Sequence, residues 1–228
     1  MDAETHILAS WHQNSEAWTH AVRGDHIESR LLVTNRAIVD EILAYRPQSV
    51  LDMGCGEGWL TRIIAAKDIY VLGVDAIPTL ITQAQAAGGA HYLVSDYEEI
   101  IGGKLRQKGP FEVVVCNFSL FGQTSVELLL RYLPQLLSHS GHLIIQTIHP
   151  AVASLNHPYC DGWRAGSWSG FSQEFVNPAP WYFRTVSSWV RLLQNSGFAL
   201  ANLREPIHPQ TQQPASLILV GTPIARRS

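Results

Sequence analysis

Val50-Leu-Asp-Met-Gly-Cys-Gly-Glu-Gly-Trp59 is the stretch on which the fold turns. Apolar residues lead into Asp52, glycines alternate at 54, 56 and 58, and a helical apolar pattern starts at once. Strand, tight turn and helix start, in that order, hold a ligand at the carboxyl end of an open α/β sheet. Glycine suits a backbone that takes positive φ and lets a ligand lie against it. The spacing argues against a dinucleotide loop. Gly-x-Gly-x-x-Gly needs a third glycine at 59, where this chain has Trp59. An acid two residues before the first glycine also repels a pyrophosphate, so a ligand with a positive end, or with amine and hydroxyl groups, fits better.

Outward from this turn the strand–helix unit recurs. Before it, Leu31–Arg46 reads as a helix with Leu31, Leu32, Ile38, Val39, Ile42 and Leu43 on one face, ended by Pro47. Residues 1–30 show helical spacing only in pieces, with Trp11, Trp18 and Val22 in phase. After the turn, Trp59–Lys67 is a helix, and Tyr70–Asp75 is a short apolar strand of the kind buried in parallel sheets. Pro78 suits the first turn of the next helix, which stops at Gly88-Gly89. His91–Asp96, Phe111–Phe118 and His142–Ile148 are the next three strands, separated by helical stretches at Glu98–Leu105 and Val126–Leu137. Five strands alternating with helices specify a parallel sheet with right-handed crossovers and helices on both faces.

Residues 149–181 then lose any period and carry Pro150, Pro158, Pro178 and Pro180 among many aromatics. So long an irregular stretch in a compact domain usually serves function. Regularity returns with the helix Thr185–Ser196, and Phe198–Leu203 and Ser216–Val220 are joined too closely for a crossover, which makes them an antiparallel pair. One domain over 1–228 follows, with a cap segment at 1–30 and a lid or substrate insertion at 149–184.

Composition bounds the rest. The chain has 228 residues, 46% hydrophobic and 15% charged, which is globular and ample for one large core. No run of about 18 apolar residues suggests a membrane span, and the polar, acidic Met1-Asp-Ala-Glu-Thr-His start is not that of a signal peptide. Three widely spaced cysteines, Cys55, Cys116 and Cys160, form neither a disulfide framework nor a zinc site, so a reducing, cytoplasmic setting is expected. A net charge of −3, with only Lys104, Arg106 and Lys108 clustered, gives no electrostatic reason to bind nucleic acid. Trp11, Trp18, Trp163, Trp168 and Trp181 lie off the elements assigned above, as a lid or pocket wall or as the core of a small subdomain.

In an open parallel sheet the chemistry gathers at the strands' carboxyl ends. Arriving there are Gly54–Gly58, Asp75, Asp96 with Tyr97, Asn117 with Phe118, and His149. A single acid after a strand is often only a helix N-cap. Acids at 52, 75 and 96 in consecutive units, beside a glycine turn, favour a polyhydroxyl, amine-bearing ligand: Asp75 to accept from ribose hydroxyls, Asp96 from an exocyclic adenine amine.

Leu51-Asp-Met-Gly-Cys-Gly-Glu-Gly-Trp59, Gly73-Val-Asp75, Ser95-Asp-Tyr97 and Val115-Cys-Asn-Phe-Ser-Leu120 resemble the successive motifs of the class I S-adenosylmethionine-dependent methyltransferases, over residues 30–148. The phrase Gly-Cys-Gly-Glu-Gly-Trp-Leu is similar to that of a bacterial group within them. The resemblance implies a Rossmann-like, seven-stranded, mostly parallel sheet closed by the C-terminal antiparallel pair. It implies S-adenosylmethionine as donor and S-adenosylhomocysteine as product. The turn around Gly54, Cys55, Gly56 and Trp59 would hold the methionyl part, Asp75 with Ala76 the ribose, and Asp96 with Tyr97 the adenine. Asn117 and Phe118 would complete the set, with Asp52 acting through water or the donor's ammonium group.

The donor's carboxylate needs a cation that these motifs lack. Arg30 is the candidate, because a guanidinium holds a carboxylate bidentately, although a plain surface arginine is the competing reading. Trp11 and Trp18 are expected over the donor, where an aromatic face favours a sulfonium, or else in a packed core. Methyl transfer is an in-line displacement that asks for alignment and exclusion of water. For a hydroxyl or carbon nucleophile a general base helps, and His149 is the best-placed histidine, with a structural role before Pro150 as the alternative. Trp11, Trp18, Trp163, Trp168, Tyr182 and Arg184, with His157 and Tyr159, are candidates for substrate contact. No acid and histidine set has metal-ligand spacing.

The Asn/Asp-Pro-Pro-Tyr/Phe signature of base-amine methylation is absent after the fourth strand, where Cys116-Asn-Phe-Ser-Leu120 stands. A small-molecule acceptor is therefore expected. An RNA methyltransferase and a donor-binding regulatory domain without turnover are the competing functions, and a nicotinamide dehydrogenase is disfavoured by the glycine spacing.

Overall fold

The computed structural model describes residues 2–224. Five parallel strands, β1 (Ser49–Met53), β2 (Tyr70–Asp75), β3 (His91–Val94), β4 (Phe111–Asn117) and β5 (Leu137–Thr147), are joined by β8 (Phe198–Arg204) and β9 (Leu217–Pro223). Their order is β3-β2-β1-β4-β5-β9-β8, with β9 antiparallel to both of its neighbours. The order reverses between β1 and β4, and register sets Met53 beside Val74 of β2 and Cys116 of β4, so these strand ends open one crevice.

The central strands are largely apolar because both of their faces are covered. Leu51, Met53, Val114, Cys116 and Ile145 pack under α6 (Thr124–Tyr132) and α8 (Val186–Asn195) through Leu129, Leu130, Trp189 and Leu193. The alternate residues Val50, Val113, Val115 and Ile144 pack on α2 (Asn35–Ala44) and α3 (Trp59–Ala65) through Ile38, Ile42, Leu60 and Ile64. That period-2 split is the strand geometry itself.

Two expectations need correcting. The N-terminal pieces form one 21-residue helix, α1 (Ala3–Arg23). Its apolar period is weak because the face it buries holds Ser10, Asn14, Ser15 and Thr19. The helix expected from Leu31 begins instead with a π-helical segment, Arg30–Thr34, that runs into α2. The wider turn shifts the helical phase, so Leu31 and Leu32 face solvent while Val33 and Thr34 are buried. In the 149–184 insertion, α7 (Pro150–Ala153) is followed by β6 (Gly162–Arg164) and β7 (Trp181–Phe183), an antiparallel pair outside the main sheet. Of the five tryptophans read as lying off regular elements, Trp11 and Trp18 are therefore in α1, and Trp163 and Trp181 are in strands. Among the described residues no helix is long and apolar enough to cross a membrane.

Candidate active site

The glycine turn is tied to β2: the Gly54 and Cys55 N–H groups both donate to Val74 O, at 2.8 and 3.0 Å. Gly54 has φ +74°, and a Cβ there would run into the Ser119 side chain, whose hydroxyl donates to Met53 O. Asp75 lies across the turn. One carboxylate oxygen accepts from Gly56 N–H and the other from Ile77 N–H, each at 2.9 Å, with Ala76 between. Each oxygen keeps a lone pair for a ligand hydroxyl. Burial raises the Asp75 carboxyl above its ordinary value against these bonds.

Asp52 sits beneath the turn, 1% exposed, and accepts from the Thr61 hydroxyl at 2.8 Å. Burial, aided by the charge of Asp75, pushes it up to about 7. It acts as scaffold under the loop. The Cys55 thiol likewise points inward: a Cβ on Gly73 would lie 2.9 Å from its Sγ, and the Cys55 main chain is spent on Val74 O and Gly58 N–H. Burial pushes that thiol well above its ordinary value.

At β3 the capping role of Asp96 is realised. Its carboxylate accepts from Glu99 N–H at 2.8 Å, and Glu99 reaches back to Asp96 N–H, a capping box that opens α5 (Tyr97–Ile101). The Tyr97 hydroxyl donates to Ser119 O, fixing the loop after β4. Asn117 Oδ1 is buried with no partner among the described residues. Phe118, at φ +52°, donates its N–H to Gln146 O.

Arg30 opens the π-helical segment. Its guanidinium carbon lies 4.7 Å from the Trp59 ring centre and 5.7 Å from that of Trp18, and its Nε donates to Asn35 Oδ1. Its Nη1 is buried with no partner among the described residues. Burial lowers the guanidinium to about 10, against the opposing pull of Glu57 and Asp25. A buried donor left unpaired is costly unless an anion meets it.

Glu57, inside the glycine turn, is fully buried. Arg23 Nε and Arg62 Nη2 each donate to it at 2.8 Å. Arg23 ends α1, so this ion pair fastens α1 to the turn. At the other end Glu4 accepts from the N–H groups of Gln123, Thr124 and Ser125 at the start of α6. Ser15 accepts from Thr79 of α4 (Pro78–Ala87). Held this way, α1 lays Trp18 over the turn, its indole nitrogen 3.4 Å from where a Gly56 Cβ would stand. Trp11 meets Trp18, Phe121 and Trp168 at 5.1–5.8 Å between ring centres, and Phe171 and Phe175 extend the cluster. Trp163 lies apart, against Tyr182.

Beyond β4 and β5 a small cavity is lined by Phe118, Phe121, Trp181, Tyr182, Arg184 and Trp189. Arg184 donates to Gly122 O and Gln123 O at 3.0 Å and stacks on Tyr182 and Trp189. Its desolvation lowers its pKa from the ordinary value. His149 caps α7: Nδ1 accepts from Ala151 N–H, so Nε2 carries the proton and donates to Glu205 at 2.7 Å. The Tyr159 hydroxyl accepts from Val186 N–H, and His157 is exposed in a turn.

A family model described as a methyltransferase domain matches residues 25–203. The chain belongs to the methyltransferase domain family. It is similar to an uncharacterized methyltransferase of Schizosaccharomyces pombe, 24% identical over 166 residues, 71% of this chain and 63% of the relative. It is also similar to a ubiquinone biosynthesis O-methyltransferase of Xylella fastidiosa, 28% identical over 110 residues, 46% of this chain and 44% of the relative. The chain thus spans about half the length of the curated relatives it matches. Among solved structures, an S-adenosylmethionine-dependent methyltransferase from Mesorhizobium loti aligns at TM-score 0.58 and 24% identity, over 80% of this chain and 99% of its own. The 1,6-didemethyltoxoflavin-N1-methyltransferase of Burkholderia thailandensis, solved with 1,6-didemethyltoxoflavin and S-adenosylhomocysteine, aligns at TM-score 0.65 and 19% identity, over 97% and 87%.

In this methyltransferase domain Gly54, Gly56, Trp59, Asp75, Arg30 and Trp18 converge on one crevice, with Trp11 and Trp168 in the aromatic cover. Asp52 and Cys55 hold the turn from behind. The base role expected of His149 has no free ring nitrogen to rest on, because both are engaged. Arg184 spends its terminal nitrogens on main-chain carbonyls. Sequence reasoning missed Glu57 and its two arginines. The available signal was an acid at the centre of a glycine turn with Arg62 one helical turn into α3.

Proposed function

We propose that this methyltransferase domain uses S-adenosylmethionine to methylate a small-molecule acceptor, leaving S-adenosylhomocysteine. The observation that carries this is Arg30, a buried guanidinium with an unpaired nitrogen beside the glycine turn and between two tryptophans. The donor's methionyl end has the carboxylate such a group pairs with bidentately. The other residues fit the donor as well. The Gly54–Gly58 main chain suits the methionyl part, the free lone pairs of Asp75 the ribose hydroxyls, and Asp96 with Tyr97 the adenine end. Asn117 offers an unpaired buried acceptor. Bound, the donor supplies an electrophilic methyl group on a sulfonium. The chain's own work is to align that end, present the Trp18 face to its charge and keep water out with the aromatic cover.

A small acceptor suits the walled 149–184 insertion and the scattered basic residues, and the named relatives in ubiquinone biosynthesis and with bound didemethyltoxoflavin also concern small molecules. Free cysteines at 55, 116 and 160 accord with a cytoplasmic setting. Calorimetric titration with S-adenosylmethionine, S-adenosylhomocysteine and NAD tests the donor. The first two bind and NAD does not. Arg30→Ala weakens S-adenosylmethionine by roughly 1.5–3 kcal/mol, the worth of a charge-assisted bond, and leaves the affinity for its decarboxylated analogue unchanged. Binding of NAD alone would sink the proposal.

A further inference from the structure

Gln146 is a polar side chain where β5 is otherwise built for packing. It is 1% exposed, lies in phase with Ile144 along β5 and pairs with Ile218 across β9. Its Nε2 donates to Thr34 O at 3.3 Å and to Ser216 Oγ at 2.8 Å, while its Oε1 is buried with no partner among the described residues. Turned over, the amide would set an oxygen against Thr34 O, so that carbonyl fixes its orientation. Burying an amide with an unpaired oxygen is costly where a leucine would pack. What separates it from a leucine here is its pair of bonds to Ser216 and to Thr34, the last residue of the π-helical segment.

That segment decides where Arg30 points. Asn35 N–H donates to Arg30 O, a bond spanning five residues, and Arg30 Nε donates to Asn35 Oδ1 at 3.2 Å. In an α-helix, residues five apart stand about 140° apart around the axis, which would turn the Asn35 side chain away from Arg30. The wider turn closes both bonds, and they hold the guanidinium against Trp59 with Nη1 unpaired among the described residues. An α-helix is the ordinary outcome for such a stretch, and the π-helical turn leaves Leu31 and Leu32 exposed. Among the described residues, the hydrogen bond that reaches this segment from the sheet is that of Gln146 to Thr34 O.

On the proposed reading that Arg30 meets the donor's carboxylate, we infer that Gln146 is a positioning residue: from inside the sheet it holds the π-helical turn, and the turn aims Arg30. It acts through Thr34, Asn35 and Arg30, so its effect is confined to ligands that carry the carboxylate.

Calorimetry with S-adenosylmethionine and its decarboxylated analogue makes the comparison. Gln146→Leu fills the same space and donates nothing to Thr34. It weakens S-adenosylmethionine about tenfold, because a displaced guanidinium loses part of a charge-assisted pair, and it leaves the analogue's affinity unchanged. In an Arg30→Ala background the same substitution has no further effect on either ligand. Gln146→Glu gives a second readout, because burial raises its carboxyl and only the protonated acid can donate to Thr34 O. Relative to wild type, this variant regains affinity for S-adenosylmethionine as pH falls from about 8 to about 6, and the analogue shows no such change. Equal weakening of both ligands makes Gln146 a part of the fold alone and overturns the inference. So does a loss that adds to that of Arg30→Ala, or an S-adenosylmethionine affinity that neither variant changes. If Gln146→Leu does not fold, Gln146→Glu decides, and an absent pH response overturns the inference. A wild-type chain that binds both ligands equally overturns the carboxylate role of Arg30 and this inference with it. A wild type that discriminates, with Gln146 variants that discriminate as strongly, overturns this inference alone.

Discussion

Asp52 has one hydrogen-bond donor in its shell, the Thr61 hydroxyl, and is otherwise enclosed beneath the glycine turn. Its carboxyl holds a proton up to about 7 in the fold, against an ordinary value of 3.8. Between those values the folded chain binds more protons than the unfolded one, so this group's contribution to stability is fully present at low pH and is lost as pH rises through that window. Asp52→Asn removes the titration and keeps an oxygen for Thr61. Its melting temperature relative to wild type therefore climbs between pH 5 and pH 8, and a flat difference across that range would show that Asp52 is not the source. Asp75, which accepts from Gly56 and Ile77 N–H, behaves differently on the proposed donor reading: Asp75→Ala weakens S-adenosylhomocysteine by roughly 1–3 kcal/mol in calorimetry. Both acids were legible in the sequence because they stand at or next to strand ends, two residues from a glycine. Their different surroundings were not, since Asp52 is closed off by Thr61 arriving from α3 while Asp75 meets main-chain N–H groups. Asp96 makes the same point, because an N-cap and an adenine contact call for the same residue type.

Element by element, what could be read followed how strongly each one announces its buried face. The central parallel strands were clear because their buried positions are apolar, whereas in α3 the apolar pattern misplaced Ile63, which is exposed while Thr61 is buried. The α1 helix was fragmentary to sequence reasoning because its contacts are polar or ionic: Glu4 at α6, Ser15 at Thr79, Arg23 at Glu57. The π-helical turn at Arg30 was invisible, because a phase shift leaves no residue signature; it rotates Leu31 and Leu32 outward. The Arg23–Glu57 pair gives α1 a testable attachment. Arg23→Ala leaves Glu57 with Arg62 alone and costs roughly 1–3 kcal/mol, the range for a charged bond to a buried partner. Hydrogen exchange then quickens across residues 3–23 while the sheet strands keep their protection. Equal acceleration in β1 and β4 would mean that the pair supports the whole fold.

Across the whole molecule the crevice at the glycine turn and the 149–184 insertion share one cover. The Asn14 side chain, fully buried on α1, donates to Val176 O and accepts from Val176 N–H, each at 2.8 Å, and Ser10 donates to Asn177 O. The helix over the glycine turn is thereby bonded to the 149–184 insertion. Trp11 bridges the same two parts through Trp168 and Phe121. The alternating order of strands and helices already brought Gly54–Gly58, Asp75, Asp96, Asn117 and His149 to the carboxyl edge of the sheet. The coupling between the crevice and the insertion lies in contacts more than 160 residues apart in the chain, where local pattern carries no information. A ligand that orders α1 should therefore also order the insertion, by stabilising the one docked arrangement. In hydrogen exchange, S-adenosylhomocysteine slows residues 3–23 and residues 172–178 together. Asn14→Ala loses both bonds to Val176, along with its own bond to Ser10 O, and puts a good helix former in α1, so the ligand still slows α1 but no longer slows 172–178. If the variant preserves protection in both segments, the aromatic contacts of Trp11 and Trp168 transmit the order and Asn14 does not.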